Sequence, residues 1–176
     1  QQDRSLHGMG TTLTGILFHG DRGYIVHVGD SRAYLLRGAM GRQLTTDHSW
    51  LYEQIQAGLI TEEEAQDSDL KHIITRSVGF ERIVEADIVP VNVNLGDVFL
   101  LCSDGFANYV SVDELAVLAR DNLYSELPQI CIELALERGG DDNITVVVVL
   151  ACNDHDERQA VRQLSKTATD TLPSLP

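Results

Sequence analysis

The sequence predicts an α+β fold in which antiparallel β-sheets are covered by helices and carry a small helical insertion. Three observations point to it. Strand-like patterns dominate both ends of residues 1–152, two helical patterns lie between Asp104 and Asp142, and the strand–helix alternation of a doubly wound parallel sheet is missing.

Residues 11–18 set Leu13, Gly15 and Leu17 against Thr12, Thr14, Ile16 and Phe18, the two-residue period of a strand. Segment 19–23, His-Gly-Asp-Arg-Gly, reads as a hairpin loop into a second strand at 24–28. A third strand at 33–36 is turned by Gly38-Ala39-Met40-Gly41. Residues 47–74 differ: a short helix at 50–57 is stopped by Gly58, and Thr61 with Glu64 forms a capping box. That segment reads as a helical insertion carried on the sheet.

Farther on, Asp87, Val89, Val91 and Val93 alternate with Ile88, Pro90, Asn92 and Asn94. Pro90 cannot donate to a ladder, so this strand belongs at an edge. Runs 98–102 and 144–150 are continuously apolar, as expected of strands buried on both faces. Ser111 and Glu114 form a second capping box before Leu115, Leu118 and Ala119. Leu127, Ile130, Cys131, Leu134 and Ala135 keep helical spacing up to Gly139, a suitable residue just beyond a helix end. Residues 153–176 turn polar and read as a tail or linker, with one helical stretch at 157–166. No internal repeat appears.

The 176 residues suit one domain. With 27 acidic against 13 basic residues, the net charge of −14 argues against nucleic acid or an anionic membrane as a general partner. No apolar run reaches the roughly 20 residues of a membrane span, and the polar N-terminus carries no signal-peptide pattern. Cys102, Cys131 and Cys152 are odd in number and lack CxxC spacing; the first two sit in apolar runs, as core residues do. A disulfide framework is not expected, which fits a reducing, cytoplasmic compartment.

Three aspartates sit where apolar strands meet loops: Asp30 in Val28-Gly29-Asp30-Ser31-Arg32, Asp104 in Ser103-Asp104-Gly105, and Asp142 in Gly140-Asp141-Asp142-Asn143. Two carboxylates at ~4 Å repel by about 4 kcal/mol at an effective dielectric near 20. Either these groups lie apart, each closing an Asx-turn, or a cation holds them together, which is the reading adopted here. Asp104 ends one strand and Asp142 starts another, so antiparallel pairing puts both on one rim. Asp30 joins them if its own strand faces that rim. Gly29, Gly105 and Gly140 permit the sharp turns. Carboxylates alone suit hard cations such as Mg²⁺ or Mn²⁺. Asn143 is expected to orient Asp142; Asp141 is expected to face solvent, although the two aspartates could exchange roles. Arg32 and Arg76 are expected to pair with neighbouring carboxylates.

Met9-Gly10-Thr11-Thr12, Val28-Gly29-Asp30-Ser31-Arg32, Thr46-Asp47-His48, Thr75-Arg76-Ser77-Val78-Gly79, Ser103-Asp104-Gly105 and Gly140-Asp141-Asp142-Asn143 occur in this order. Together they resemble the bacterial type 2C, metal-dependent serine/threonine protein phosphatases, over about residues 8–150. The resemblance implies two antiparallel β-sheets packed as a sandwich flanked by helices, with 47–74 as a flap beside the active site. It implies Asp104 and Asp142 as ligands of a catalytic metal, and Asp30 and Asp104 as holders of a third ion, in a site of two or three Mn²⁺ or Mg²⁺. Ser103, Gly105 and Asn143 belong to the same motifs and support those ligands. Asp47-His48 is implied to be structural. The expected reaction is hydrolysis of phosphoserine and phosphothreonine in phosphorylated protein substrates by a metal-activated water, carried out by a monomer. The family's Asp-Gly-Met-Gly-Gly-type segment, with its phosphate-binding Arg and acid His, has no counterpart here. His7-Gly8-Met9-Gly10 leads straight into a later motif. The N-terminal part of the catalytic domain is therefore expected to be missing, and this chain alone to be weakly active. A silent regulatory or interaction domain of the same fold is the alternative.

Overall fold

Alternating residues in the first thirty positions close a hairpin. Strand β1 (Leu13–His19) pairs antiparallel with β2 (Arg22–Val28), His19 opposite Arg22. The two-residue turn between them begins with Gly20 at φ +60°, the type II′ pattern that matches strand twist. The same device, Gly38 at φ +60°, joins β3 (Arg32–Arg37) to β4 (Met40–Gln43). The computed structural model describes residues 8–66, 68, 70 and 73–153. The tail expected at 153–176, with its helical stretch, lies outside them apart from residue 153.

The remaining elements are α1 (Trp50–Gln56), α2 (Glu62–Gln66), β5 (Asp87–Asn92), β6 (Val98–Cys102), α3 (Asp104–Ala107), α4 (Val112–Asp121), α5 (Leu127–Glu137) and β7 (Val146–Leu150). They form two wholly antiparallel sheets, ordered β1-β2-β5 and β4-β3-β6-β7. The α+β sandwich expected from the sequence is what forms, and β5 with Pro90 lies at an edge as expected.

The two-residue period of β3 and β6 divides the core. Ala33, Leu35 and Phe99 face the three-stranded sheet, where they meet Ile25 and Val91. Tyr34, Leu36, Val98, Leu100 and Cys102 face the other way, onto Phe106, Leu115, Leu127, Cys131 and Ala135 from the helices. The four-stranded sheet is thus covered on both faces. On the outer face of the three-stranded sheet, Leu13, Leu17 and Ile88 stay exposed.

The helix starts follow their caps. Thr61 and Glu64 complete both bonds of a capping box, 2.8 and 3.2 Å. Ser111 accepts from the Glu114 amide, but the Glu114 carboxylate binds Arg138 instead of closing the box. Gly139 and Gly140 take positive φ beyond α5, and the Gly140 amide donates to the Ala135 carbonyl.

Two elements escape the sequence patterns, β4 and the single-turn α3. One expectation is corrected. Strand β7 is not buried on both faces, since Val147 is 50% exposed; it occupies the edge of its sheet, and an apolar run does not reveal strand order. Cys102 and Cys131 are free and buried, and burial pushes their thiols up to about 12 and about 11. Cys152 is free and exposed. Among the described residues no helix is long and apolar enough to cross a membrane.

Candidate metal-binding rim

Strand β6 organises the rim. Its last residue, Cys102, pairs with Arg32 at the start of β3 and with Val146 at the start of β7. Antiparallel pairing therefore sets three loops side by side: 103–105 leaving β6, 29–31 entering β3, and 142–145 entering β7.

Ser103 fastens the first loop to the last. Its amide donates to the Thr145 carbonyl (3.1 Å), its hydroxyl donates to the Asn143 carbonyl (3.0 Å), and it accepts from the Thr145 amide (3.0 Å). Gly105 lies against the same segment so closely that a Cβ there would fall 2.5 Å from the Asn143 carbonyl oxygen. The Asp104 and Asp142 loops are thereby in backbone contact.

Asp30 and Asp104 face a common cleft of about 170 Å³, walled on the other side by Ser49, Leu51, Tyr52 and Ile55. Burial, and then the charge of Asp104, raise the Asp30 pKa above the usual carboxylate range. Arg32 lines the cleft too but is committed elsewhere. It forks onto Asp47 at 2.6–3.0 Å and donates to the Ala107 carbonyl. Asp142 is exposed, and its Oδ1 accepts from the Asn143 amide at 2.6 Å; the link expected from Asn143 comes from its backbone. Asp141 accepts from the Tyr109 hydroxyl at 2.8 Å, and its own amide donates back to that oxygen at 3.4 Å.

Asp30 and Asp104 are thus brought to one cleft, and Asp142 to the adjoining loop. Among the described residues no three His, Cys, Asp or Glu side chains converge as a ready metal cage. The donors present, two oxygen-only carboxylates with one desolvated and repelled by the other, fit a hard divalent cation.

A dense network behind the rim fixes the Asp30 turn. Gly29, at φ +113°, is bracketed by His48: the His48 amide donates to the Gly29 carbonyl (2.7 Å), and the Gly29 amide donates to His48 Nδ1 (3.1 Å). The His48 ring proton is therefore on Nε2, aimed at Asp87 Oδ2 at 3.2 Å. Arg76 donates to the other Asp87 oxygen at 3.1 Å. Burial opposes ionisation of Asp87, but these bonds prevail and hold its pKa below the ordinary value. His27, wholly buried, has its ring centroid 4.8 Å from that of His48. Burial, then His48, push its pKa down. Thr12 and Ser31 share a 2.9 Å hydroxyl contact on the opposite side of the turn.

The insertion is closed at its base by backbone bonds, Trp50 amide to Ile73 carbonyl (2.9 Å) and Thr75 amide to His48 carbonyl (2.8 Å). Its first helix, α1, then leans over the Asp30–Asp104 cleft through Leu51, Tyr52 and Ile55.

Sequence reasoning missed His27, Asp87 and the cleft wall on α1. His27 was within reach, because Gly23, Ile25 and His27 form the inward row of β2. Asp87 meets His48 only through packing between the sheet and the base of the insertion.

The family model described as Protein phosphatase 2C matches residues 1–128. The serine/threonine phosphatase Stp of Listeria monocytogenes is 40% identical over 150 residues, 85% of this chain and 60% of that protein. The serine/threonine protein phosphatase PstP of Mycobacterium tuberculosis is 38% identical over an alignment covering all of this chain and 34% of that protein. The crystal structure of M. tuberculosis PstP/Ppp superposes with a TM-score of 0.79 at 40% identity, covering 85% of this chain and 63% of that one. The PstP catalytic domain in complex with two manganese ions gives 0.74 at 40% identity, covering 84% and 61%. The chain thus spans about 60% of the length of the Stp it matches. By family match, identity and fold, this chain belongs to the protein phosphatase 2C family.

Proposed function

We propose that this chain acts in metal-dependent hydrolysis of phosphoserine and phosphothreonine in proteins. The observation that carries the reading is the convergence of Asp30 and Asp104 on one cleft, beside the Asp142 loop, while Arg32, which also lines the cleft, is forked onto Asp47. Asp30 and Asp104 would hold one Mn²⁺ or Mg²⁺, and Asp104 with Asp142 would serve a second, in a site of two or three ions. When bound, such ions supply Lewis acidity and an acidified water for in-line attack on phosphorus. The chain's own part is to hold the carboxylates in place through Ser103, Gly105, Asn143 and the His48 bracket, and to wall the cleft with α1. Residues 47–74 then serve as a flap over a catalytic domain that extends to residue 152, and phosphorylated proteins are the partners.

The test is Mn²⁺-dependent phosphate release from a phosphothreonine peptide by the protein made from the full reading frame, with Asp104→Ala beside it. Turnover in the variant should fall by two orders of magnitude or more, on the scale of ~3 kcal/mol of transition-state stabilisation. Unchanged turnover overturns the proposal. Manganese binding without any turnover favours a non-catalytic domain.

A further inference from the structure

The polar contacts around His27 call for one more proton than a neutral ring and a hydroxyl supply. His27 is wholly buried on the inward row of β2. Its Nε2 lies 3.0 Å from the Thr46 carbonyl, and its Nδ1 lies 2.9 Å from the Thr14 hydroxyl. The same hydroxyl donates to the Ser31 carbonyl at 3.1 Å. A carbonyl only accepts, so Nε2 carries a proton. A hydroxyl has a single proton to give. Thr14 can therefore serve the Ser31 carbonyl only by accepting from Nδ1–H, and a ring protonated on both nitrogens is an imidazolium. With a neutral ring, Nδ1 takes the Thr14 proton and the Ser31 carbonyl goes without that bond.

This count reaches the rim, because Ser31 follows Asp30 directly. Strand β1 holds Ser31 at two points, its hydroxyl through Thr12 at 2.9 Å and its carbonyl through Thr14. The first contact does not involve His27; the second depends on it. The ionisable groups facing His27 come from two other elements. His48 lies beside it in the 44–49 segment, with Asp47 next to His48, and Asp87 stands opposite it on β5. Both carboxylates are engaged by arginines, Asp87 by Arg76 and Asp47 by Arg32. Burial and His48 oppose a charge on His27, whereas the Thr46 carbonyl, Asp47 and Asp87 favour one.

We infer that His27 is a proton-controlled latch on the Asp30 turn: a protonated ring turns the Thr14 hydroxyl proton onto the Ser31 carbonyl, and a neutral ring takes it back. The proton comes from solvent, and no covalent bond other than N–H changes. The protonated ring gains exactly one hydrogen bond in the cluster, the one from Thr14 to Ser31, which sets the sign of the coupling. The latch closes as the pH falls through the His27 midpoint, which lies below the ordinary histidine value. It acts on the metal-free turn and does not depend on the phosphatase reading.

The experiment is an NMR titration of the metal-free protein from the full reading frame, from about pH 8 to about pH 4, across the imidazole range. It follows the ring nitrogens of His27 and His48 and the carbonyl carbon of Ser31. Asp30→Asn serves as the background, so that ionisation of Asp30 does not move its neighbour's resonance. The Ser31 carbonyl should shift with the midpoint of His27 and not with that of His48. In Thr14→Val that response should vanish, and the His27 midpoint should fall by about 0.4–1 pH unit, the worth of one hydrogen bond. Thr14→Ser, which keeps the hydroxyl, should restore both. A Ser31 carbonyl indifferent to His27 overturns the inference, as does a midpoint unmoved or raised in Thr14→Val. A ring that stays neutral until the protein unfolds overturns it too. If Thr14→Val does not fold, the covariation of Ser31 with His27 in the Asp30→Asn protein decides alone.

Discussion

The turns carrying Asp30 and Asp142 hold the same side chain by different means. Asp30 sits on a turn bracketed by His48 on both backbone atoms of Gly29 and tied through Ser31 to Thr12. Its carboxylate is desolvated and repelled by Asp104. Asp142 sits on an exposed loop, capped by its own neighbour's amide and reached through Ser103 and Gly105. One turn is pre-organised and stores electrostatic repulsion; the other is placed by backbone contact and left in water. If the proposed cation binds, half of its site is prepared and the other half would settle around it.

The sharpest way to break this contrast is through glycine. Gly29→Ala imposes φ +113° on a side chain and puts its Cβ 2.4 Å from Thr12 Cγ2. It should cost about 3 kcal/mol or more, combining left-handed placement with overpacking. Gly140→Ala, at φ +63° with Leu136 3.0 Å away, should cost about 1–2 kcal/mol. Urea unfolding of both variants measures the gap, and equal losses would erase the distinction between the turns.

Next in size is the effect on metal affinity. His48→Ala frees Gly29 and should weaken Mn²⁺ binding by about 10–100-fold, the usual cost of losing a partner behind a ligand. His48→Asn, whose Oδ1 can accept from the Gly29 amide, should recover much of that loss. On the other loop, Tyr109→Phe removes the two bonds its hydroxyl makes to Asp141 and should change affinity by less than about threefold, within the range of exposed contacts. Titration calorimetry with Mn²⁺ reads all three.

The smallest effect concerns charge alone. Because the folded-state pKa of Asp30 is raised, its ionisation opposes folding. That penalty is fully present above the raised pKa and vanishes below the unfolded value of about 3.9. Asp30→Asn should therefore stabilise the metal-free protein at pH 7 by about 0.2–1 kcal/mol, the scale of partly screened charge interactions. The gain should disappear as the pH falls through that window. Asp142→Asn should leave metal-free stability unchanged. Thermal unfolding in a chelator at pH 7 and at pH 3.5 separates the two.

Much of this was legible in the sequence where local pattern and topology coincide. The continuously apolar 98–102 run is expected to be buried on both faces, and β6 lies inside its sheet with helices on one face and the second sheet on the other. Antiparallel pairing then placed the Asp104 and Asp142 loops together before any coordinates. Met40-Gly41-Arg42-Gln43 carries no strand signature, and β4 forms because its partner β3 is already fixed at Arg37. Asp104-Gly105-Phe106-Ala107 turns into a helix because Phe106 and Ala107 are drawn into the core. The pairing of His48 with Asp87 joins positions far apart in sequence, and no periodicity encodes it.

The order of strands in the larger sheet has a kinetic side. Hairpins β1-β2 and β3-β4 and helices α4 and α5 are local and can form early. The rim needs residue 102 to find both 32 and 146, and each encounter closes a long loop before any contact repays the lost entropy. Asp30, Asp104 and Asp142 are therefore strangers for most of the folding reaction. The repulsion between Asp30 and Asp104 arises only once β3 has paired with β6, and a divalent cation held there as proposed would act on the rate at which the rim is completed.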